Sequence, residues 1–219
     1  RKVYICLITI ILWFKIDNKI INKNSEKHSE KIEILKLLIE NKEETYSIRK
    51  IALIREINYK SSYNALKALE KEGIAELNRV GNTILCTFNN SFNDLVFKAE
   101  YSRRENLFRK KEFLVIYNSL SKLEFPLIIL LFGSYSKGTA TKHSDIDLLL
   151  ISDEEHFKKV HDVINIFPQD IHLTPVTYES FIRMARSKEF SVISEALKNN
   201  VILIGTEEYY RLLKNSENR

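Results

Sequence analysis

Two acidic residues, Asp145 and Asp147, open an apolar run and follow the pair Gly133-Ser134 after an interval of ten residues. Residues two apart on a strand point to the same face, so the two carboxylates are predicted to lie side by side. A divalent cation would relieve their repulsion, and hard oxygen ligands of this kind suit Mg²⁺. Gly133 permits a tight turn, while Ser134 and Lys137 offer a hydroxyl and a positive charge to a phosphate. The stretch therefore predicts a phosphate cradle beside a metal platform, a combination suited to metal-assisted nucleotidyl transfer.

Two other interpretations of this stretch can be compared with it. Gly133 and Gly138 have the glycine spacing of a P-loop, but Thr139 and Ala140 stand where Lys and then Ser or Thr are required. The sequence therefore excludes a P-loop. An Asp-x-Asp at the start of a strand can also be a pair of solvated turn acids, but the upstream Gly-Ser pair favours a binding site.

Composition limits the class of protein. The chain has 219 residues, of which 44% are hydrophobic and 29% charged, so it can bury a core in one or two domains. Its formal net charge is +5, and the positive surplus lies wholly in the first 125 residues, which suggests a polyanionic partner for the front half or an ordinary solvated lysine-rich surface. The two cysteines form no C-x-x-C motif, so neither a disulfide framework nor a zinc site is expected. A cytoplasmic location is expected instead.

The N-terminal residues 1–29 are predicted to be an apolar segment followed by a polar linker. The apolar run at 3–14 has 12 residues, fewer than the roughly 20 that a membrane-spanning helix needs. A packing element is therefore favoured over a membrane anchor, and no membrane partner is expected.

Three helices and a hairpin are predicted within residues 30–90. The helices cover about 30–41, 48–57 and 63–73, with Ser47 capping the second and Ser61 or Ser62 the third. Two alternating runs then flank Gly81-Asn82, a strong hairpin signal. This order resembles a winged helix-turn-helix domain, which implies contact with DNA or RNA or, equally, a structural or oligomeric role. The residues suited to contact nucleic acid are Lys60, Asn64, Lys67 and Lys71.

The rest of the chain is predicted to be a helical connector at 91–124 and an α/β domain at 125–219. Apolar strands at 127–132, 147–152, 170–176 and 201–205 are separated by helical segments, including 154–167 and 178–200. This pattern predicts a small mixed β-sheet flanked by helices. The whole chain is therefore assigned to the α+β or α/β class.

The run "FGSYSKGTATKHSDIDLLLIS" resembles the minimal branch of the DNA-polymerase-β-like nucleotidyltransferase superfamily, and the resemblance extends over residues 125–210. It implies Gly133, Ser134, Lys137 and Ser144 at the nucleotide, with Lys137 standing where many relatives have Arg. It also implies two Mg²⁺ ions, or Mn²⁺ in their place, on Asp145, Asp147 and a third carboxylate of the following strand. Asp170 is the acid available there, but His172 shares its face and would take that place after a shift of two residues.

The resemblance implies transfer of a nucleoside monophosphate, with AMP from ATP favoured, to a hydroxyl acceptor. Many relatives of this kind are antitoxins that adenylylate a HEPN-type toxin, so a partner protein is the preferred acceptor. The alternative is a non-catalytic winged-helix regulator of nucleic acid, in which the second domain senses a nucleotide or forms a homodimer.

Overall fold

The structure is a computed structural model that describes residues 29–187 and 192–217, so the predictions for 1–28 lie outside the described residues. The helices are α1 (29–40), α2 (Ile48–Ile54), α3 (Tyr59–Lys71), α4 (Asp94–Leu107), α5 (Lys111–Leu120), α6 (Gly133–Ser136), α7 (Phe157–Ile164), α8 (Tyr178–Arg186), α9 (Val192–Lys198) and α10 (Thr206–Glu217). The strands are β1 (Tyr46–Ser47), β2 (Ala75–Val80), β3 (Thr83–Phe88), β4 (Ile128–Phe132), β5 (Ile146–Ile151), β6 (Ile171–Val176) and β7 (Val201–Ile204). Residues 111–204 form a four-stranded sheet, and the Gly-Ser and Asp-x-Asp stretch lies at one end of it.

The front part of the chain follows the predicted order of three helices and a hairpin. The two-residue turn Gly81-Asn82 joins β2 to β3, and β1 pairs with the other side of β3 to complete a three-stranded antiparallel sheet. Ser47 caps α2 as predicted, because its side chain accepts a hydrogen bond from the Lys50 amide. The assignment of this part to the winged helix-turn-helix family stays a prediction.

Two predicted helix boundaries in this part were wrong. Helix α2 ends at Ile54 and not at 57, since Glu56 takes a left-handed conformation with φ of 53° that breaks the helix. Helix α3 begins at Tyr59, and its cap is Asn58, whose side chain accepts from the amide of Ser61. Neither Ser61 nor Ser62 is therefore the cap, although Asn and Ser both favour that position.

The four-stranded sheet has the order β6-β5-β4-β7. Strand β4 pairs antiparallel with β5 and with β7, whereas β5 and β6 are parallel, so the sheet is mixed as predicted. The helix predicted over 178–200 is instead two helices, because α8 ends at Arg186 and Ser187 takes an extended conformation. The helix predicted over 154–167 begins as a 3₁₀ turn, Glu154–His156, and its α-helical part ends at Ile164.

The side chains of alternate residues of the sheet pack into two apolar cores, one on each face of the sheet. One core joins the sheet to helices α1 to α4 and to α8, α9 and α10, and includes Ile34, Leu130 and Tyr209. The other is formed with α5 and α7 and includes Phe113 and Val160. Because β4 and β5 are buried along their whole length except at Asp147, the second residue of β5, that residue is held in a fixed position.

A buried polar cluster lies within the first core. Glu100 and Arg103 of α4 are only 1% and 5% exposed and form an ion pair at 2.6 Å. Tyr210 donates to the second Glu100 oxygen at 2.7 Å, and Arg103 also donates to the backbone oxygen of Asn200 at 2.7 Å. The cluster thereby ties α4 to the segment before β7 and to α10.

Lys42, which follows α1, places a charge beside this cluster. Its side chain is partly exposed, but its Nζ is buried without a hydrogen-bond partner among the described residues and lies 5.3 Å from the centre of the Tyr209 ring. Burial lowers the pKa of Lys42 from 10.5 to about 8, with Glu100 opposing this effect and Arg103 adding to it. At neutral pH the ammonium group therefore costs folding energy.

Replacement of Lys42 by Met is expected to stabilise the protein at pH 7 by on the order of 2 kcal/mol, because the folded state holds this proton less tightly than the unfolded state. Between pH 8 and 10.5 the unfolded chain binds more protons at this site than the folded chain does. The free energy of unfolding of the wild type should therefore rise with pH relative to that of the variant, and the difference between the two should shrink. Urea unfolding at pH 7, 8, 9 and 10 measures the difference. A difference that does not change with pH would contradict the burial of the charge.

No helix among the described residues is both long and apolar enough to cross a bilayer.

Candidate active site

The Gly-Ser turn and the Asp-x-Asp pair meet at one end of the sheet. Strand β4 ends at Phe132, directly opposite Asp147 of β5, and the chain then turns through the four-residue helix α6. Gly133 begins this turn with φ of 68°, and a Cβ on it would lie 3.1 Å from Asp147 Cγ and collide with Oδ2. Only glycine therefore allows the turn to approach the carboxylate this closely. Helix α6 is too short to add much dipole, so its value to an anion lies in its backbone amides.

The two carboxylates differ in their surroundings. Asp145 is exposed and precedes β5 by one residue, whereas Asp147 lies within the strand with 29% of its side chain exposed. Burial raises the pKa of Asp147, and the carboxylates of Asp145 and Glu195 raise it further, while His172 lowers it. Negative charge is thus concentrated at this end of the sheet, as a cation-binding site requires.

Strand β6 brings Asp170 and His172 to the same place. The parallel register pairs Asp147 with His172, and Asp170 lies level with Asp145 just before the first strand pair. His172 Nδ1 is 3.7 Å from Asp147 Oδ1, and its Nε2 is 3.6 Å from Asp170 Oδ1. The third carboxylate that the sequence analysis expected at Asp170 therefore lies beside the pair, but the residue directly opposite Asp147 is a histidine.

These side chains fit a divalent cation. One ligand atom from each of Asp145, Asp170 and His172 lies within 4.8 Å of the other two. Two ligands of a single ion are about 3 to 4 Å apart when the bonds are near 2.1 Å, so a small side-chain adjustment would let one ion contact all three. Asp147 is outside this group of three but contacts it through His172.

Helix α9 supplies a residue that the sequence analysis did not predict. Glu195 forms an ion pair with Lys137, with Nζ 2.6 Å from Oε1, and also acts electrostatically on Asp147. The hydroxyl of Ser136 lies within hydrogen-bond distance of two backbone oxygens, that of Gly133 at 2.9 Å and that of Asn199 at 3.2 Å, so α6 lies against the end of α9. No motif in the sequence marks Glu195, because only the packing of α9 brings it to the turn.

The two predicted nucleotide-binding serines differ in their contacts. Ser144 is used inside the loop, where its hydroxyl accepts from the Thr141 amide at 2.8 Å and contacts the Thr141 hydroxyl. The Ser134 backbone oxygen accepts from Thr139, but its hydroxyl has no partner within the described part of the chain. Ser134 therefore remains available to a ligand, while Ser144 holds the loop before Asp145 in shape.

The residues predicted to contact nucleic acid lie elsewhere. All are exposed on α3, and Lys67 is paired with Glu70 at 2.7 Å; the set is Lys60, Asn64, Lys67 and Lys71. They form a separate surface and add nothing to the site at the end of the sheet.

Residues 110–204 match the family model of the nucleotidyltransferase domain. This span contains α5, all four strands of the larger sheet and every residue of the site at its end. No curated protein matches the chain. The match agrees with the nucleotidyltransferase resemblance of the back of the chain, over residues 110–204.

Three solved structures share low similarity with the chain. A toxin–antitoxin crystallised with AMP-PNP is 23% identical over 46% of this chain and 86% of its own, with a TM-score of 0.31. ZitR of Lactococcus lactis, a mutant in its apo form, is 23% identical over 51% and 81%, with a TM-score of 0.28. The archaeal chromatin protein TrmBL2 is 15% identical over 66% and 63%, with a TM-score of 0.21. At these TM-scores none of the three fixes the fold of the chain.

Proposed function

We propose that the protein transfers a nucleoside monophosphate from a nucleoside triphosphate to a hydroxyl group. The observation that carries this proposal is the contact between Gly133 and Asp147, which joins the Gly-Ser turn to the carboxylates within the matched nucleotidyltransferase domain. The turn would bind phosphate and the carboxylates would bind a cation, and the proposed transfer needs both groups together.

The reaction requires the acceptor oxygen to bond to the α-phosphorus while the bond between the α- and β-phosphates breaks and pyrophosphate leaves. The Gly133-Ser134 turn and Lys137 would contact the triphosphate, and the acceptor proton would pass to a carboxylate of the site or to solvent. Asp145 and Asp147, with Asp170 or His172, would hold a divalent cation. When bound, such an ion neutralises phosphate charge and activates the acceptor oxygen.

We further propose ATP as the donor and a partner protein as the acceptor, as the resemblance to adenylylating antitoxins of HEPN-type toxins implies. Asp145 and Asp170 are exposed, so a macromolecular acceptor can reach their carboxylates from solvent.

The test incubates the purified chain with a divalent cation, the product of the neighbouring gene and either α-labelled or γ-labelled ATP. Label transferred from the α-position alone is expected, together with release of pyrophosphate. Transfer from the γ-position would mean a kinase, and no transfer with any of the four nucleoside triphosphates would overturn the proposal.

Replacement of Glu195 by Gln is expected to tighten ATP binding about two- to fivefold, the range of an exposed ion pair. The change frees Lys137 for the triphosphate and removes a negative charge from beside it. Titration with a fluorescent ATP analogue measures the change, with Glu179→Gln on the exposed face of α8 as the matched control. Weaker binding by the Glu195 variant would instead show that the ion pair positions Lys137.

A second role is proposed for the front of the chain, where α3 would contact nucleic acid. Lys60 and Lys71 are exposed and form no ion pair among the described residues, so their charge is available to phosphates. Binding of duplex DNA that weakens with salt and is lost in Lys60→Ala/Lys71→Ala would support this role. Binding unaffected by both changes would exclude α3 as the contact surface.

A further inference from the structure

The register of strands β5 and β6 places a histidine beside the carboxylates of the candidate cation site. His172 is the residue directly opposite Asp147, and its two ring nitrogens lie 3.7 Å from Asp147 Oδ1 and 3.6 Å from Asp170 Oδ1. Paired residues of neighbouring strands share a face, so this position follows from the backbone and not from a side-chain rotation alone. A side chain in this position is as close to the cation site as the carboxylates themselves.

The chemistry of this ligand set differs from that of carboxylates alone. Imidazole is a borderline ligand that suits transition metals, whereas Mg²⁺ requires oxygen ligands and loses its water reluctantly. We propose that His172 is a metal ligand and that it shifts the site from Mg²⁺ towards a divalent transition metal such as Mn²⁺. The inference rests on the proposed function, because that function gives the bound metal its role. Its test measures metal binding alone and needs no transfer reaction.

The position of Asp170 supports this assignment. Asp170 is 74% exposed and lies one residue before β6, so its carboxylate is held by fewer neighbours than a side chain within the strand. Asp145 is also exposed, and His172 lies between Asp170 and Asp147. His172 is thus the group that connects the exposed carboxylates to the half-buried one.

The experiment measures metal binding directly, without nucleotide. Free Mn²⁺ is followed by its electron paramagnetic resonance signal during titration of the full chain, and Mg²⁺ is then added as a competitor. His172→Ala is expected to weaken Mn²⁺ binding about tenfold or more. Mutation of residues that only hydrogen-bond to metal ligands already lowers metal affinity by about this factor. His172→Asp is expected to retain binding but to let Mg²⁺ compete at a much lower concentration, because it restores an oxygen ligand.

The matched control is His161→Ala, which changes an exposed histidine of α7. It should leave Mn²⁺ affinity and competition by Mg²⁺ unchanged. Circular dichroism and the melting temperature of each variant, recorded without metal, show whether the fold is retained. A variant that unfolds is replaced by His172→Asn, which keeps a side chain of similar polarity.

The outcomes separate this inference from the proposed function. Mn²⁺ affinity that is the same in wild type and His172→Ala, or wild-type protein that binds no Mn²⁺, overturns the inference, and nucleotidyl transfer with Mg²⁺ would then still support the proposed function. Mn²⁺ binding lost in His172→Ala without any transfer activity supports the inference and overturns the proposed function.

Discussion

Asp147→Asn is expected to lower the rate of nucleotidyl transfer about 10³-fold while the protein stays folded. The change removes a negative charge opposite the Gly133 turn, where cation and triphosphate would meet. Divalent cations contribute several kcal/mol of transition-state stabilisation in such reactions, and each 1.36 kcal/mol is worth a factor of ten in rate. Release of pyrophosphate with time, at saturating ATP, measures the rate.

The stability of Asp147→Asn is not expected to fall together with its activity. Burial raises the pKa of Asp147, so its ionised form is held at a cost to the fold, and Asn removes that charge with little change in volume. The melting temperature of the variant is therefore expected to equal or exceed that of the wild type. An inactive variant that is also less stable would attribute the loss of activity to misfolding.

Asp162→Asn is the matched control for this experiment. Asp162 is an exposed residue of α7, away from the start of β5, and the substitution is chemically identical. Its transfer rate should equal that of the wild type. If both variants lose activity equally, or if Asp147→Asn retains wild-type activity, the carboxylates at the end of the sheet do not carry the reaction.

The parts of the site that could be predicted are those encoded in one short stretch. Gly133 and Asp147 are close in sequence, and the alternation of a strand is enough to place the two aspartates on one face. Glu195 could not be predicted, because it reaches Lys137 only through the packing of α9. His172 was foreseen only as a competitor of Asp170, since the register between β5 and β6 depends on how the intervening α7 crosses the sheet.

The fold shows the same division between local and distant determinants. The hairpin at Gly81-Asn82 was predicted because its turn residues and alternation act locally. The start of α3 was placed too late because Asn58, Ser61 and Ser62 are all good caps, and only the geometry after Glu56 decides among them. The buried pair of Glu100 and Arg103 was not foreseen, because a helix with mixed charges usually indicates a solvated face.

Arg103→Met is expected to lower the free energy of unfolding by about 3 kcal/mol, the loss typical when one partner of a buried ion pair is removed. Among the described residues, the change leaves the buried Glu100 carboxylate with the Tyr210 hydroxyl as its one hydrogen-bond partner, and it also removes the donor to Asn200. For a domain of this size the melting temperature should fall by roughly 10 °C. Lys98→Met, an exposed position on the same helix, should change it little.

The double variant Glu100→Met/Arg103→Met shows whether the charge left behind is the cause. Replacing both members of a buried ion pair by apolar residues is often nearly neutral, so the double variant should be more stable than Arg103→Met alone. Urea unfolding of the wild type, both single variants and the double variant completes the cycle. If the two losses simply add, Glu100 and Arg103 contribute to stability independently of each other. If the losses cancel in large part, Arg103 stabilises the buried carboxylate of Glu100, and through it the contact of α4 with α10.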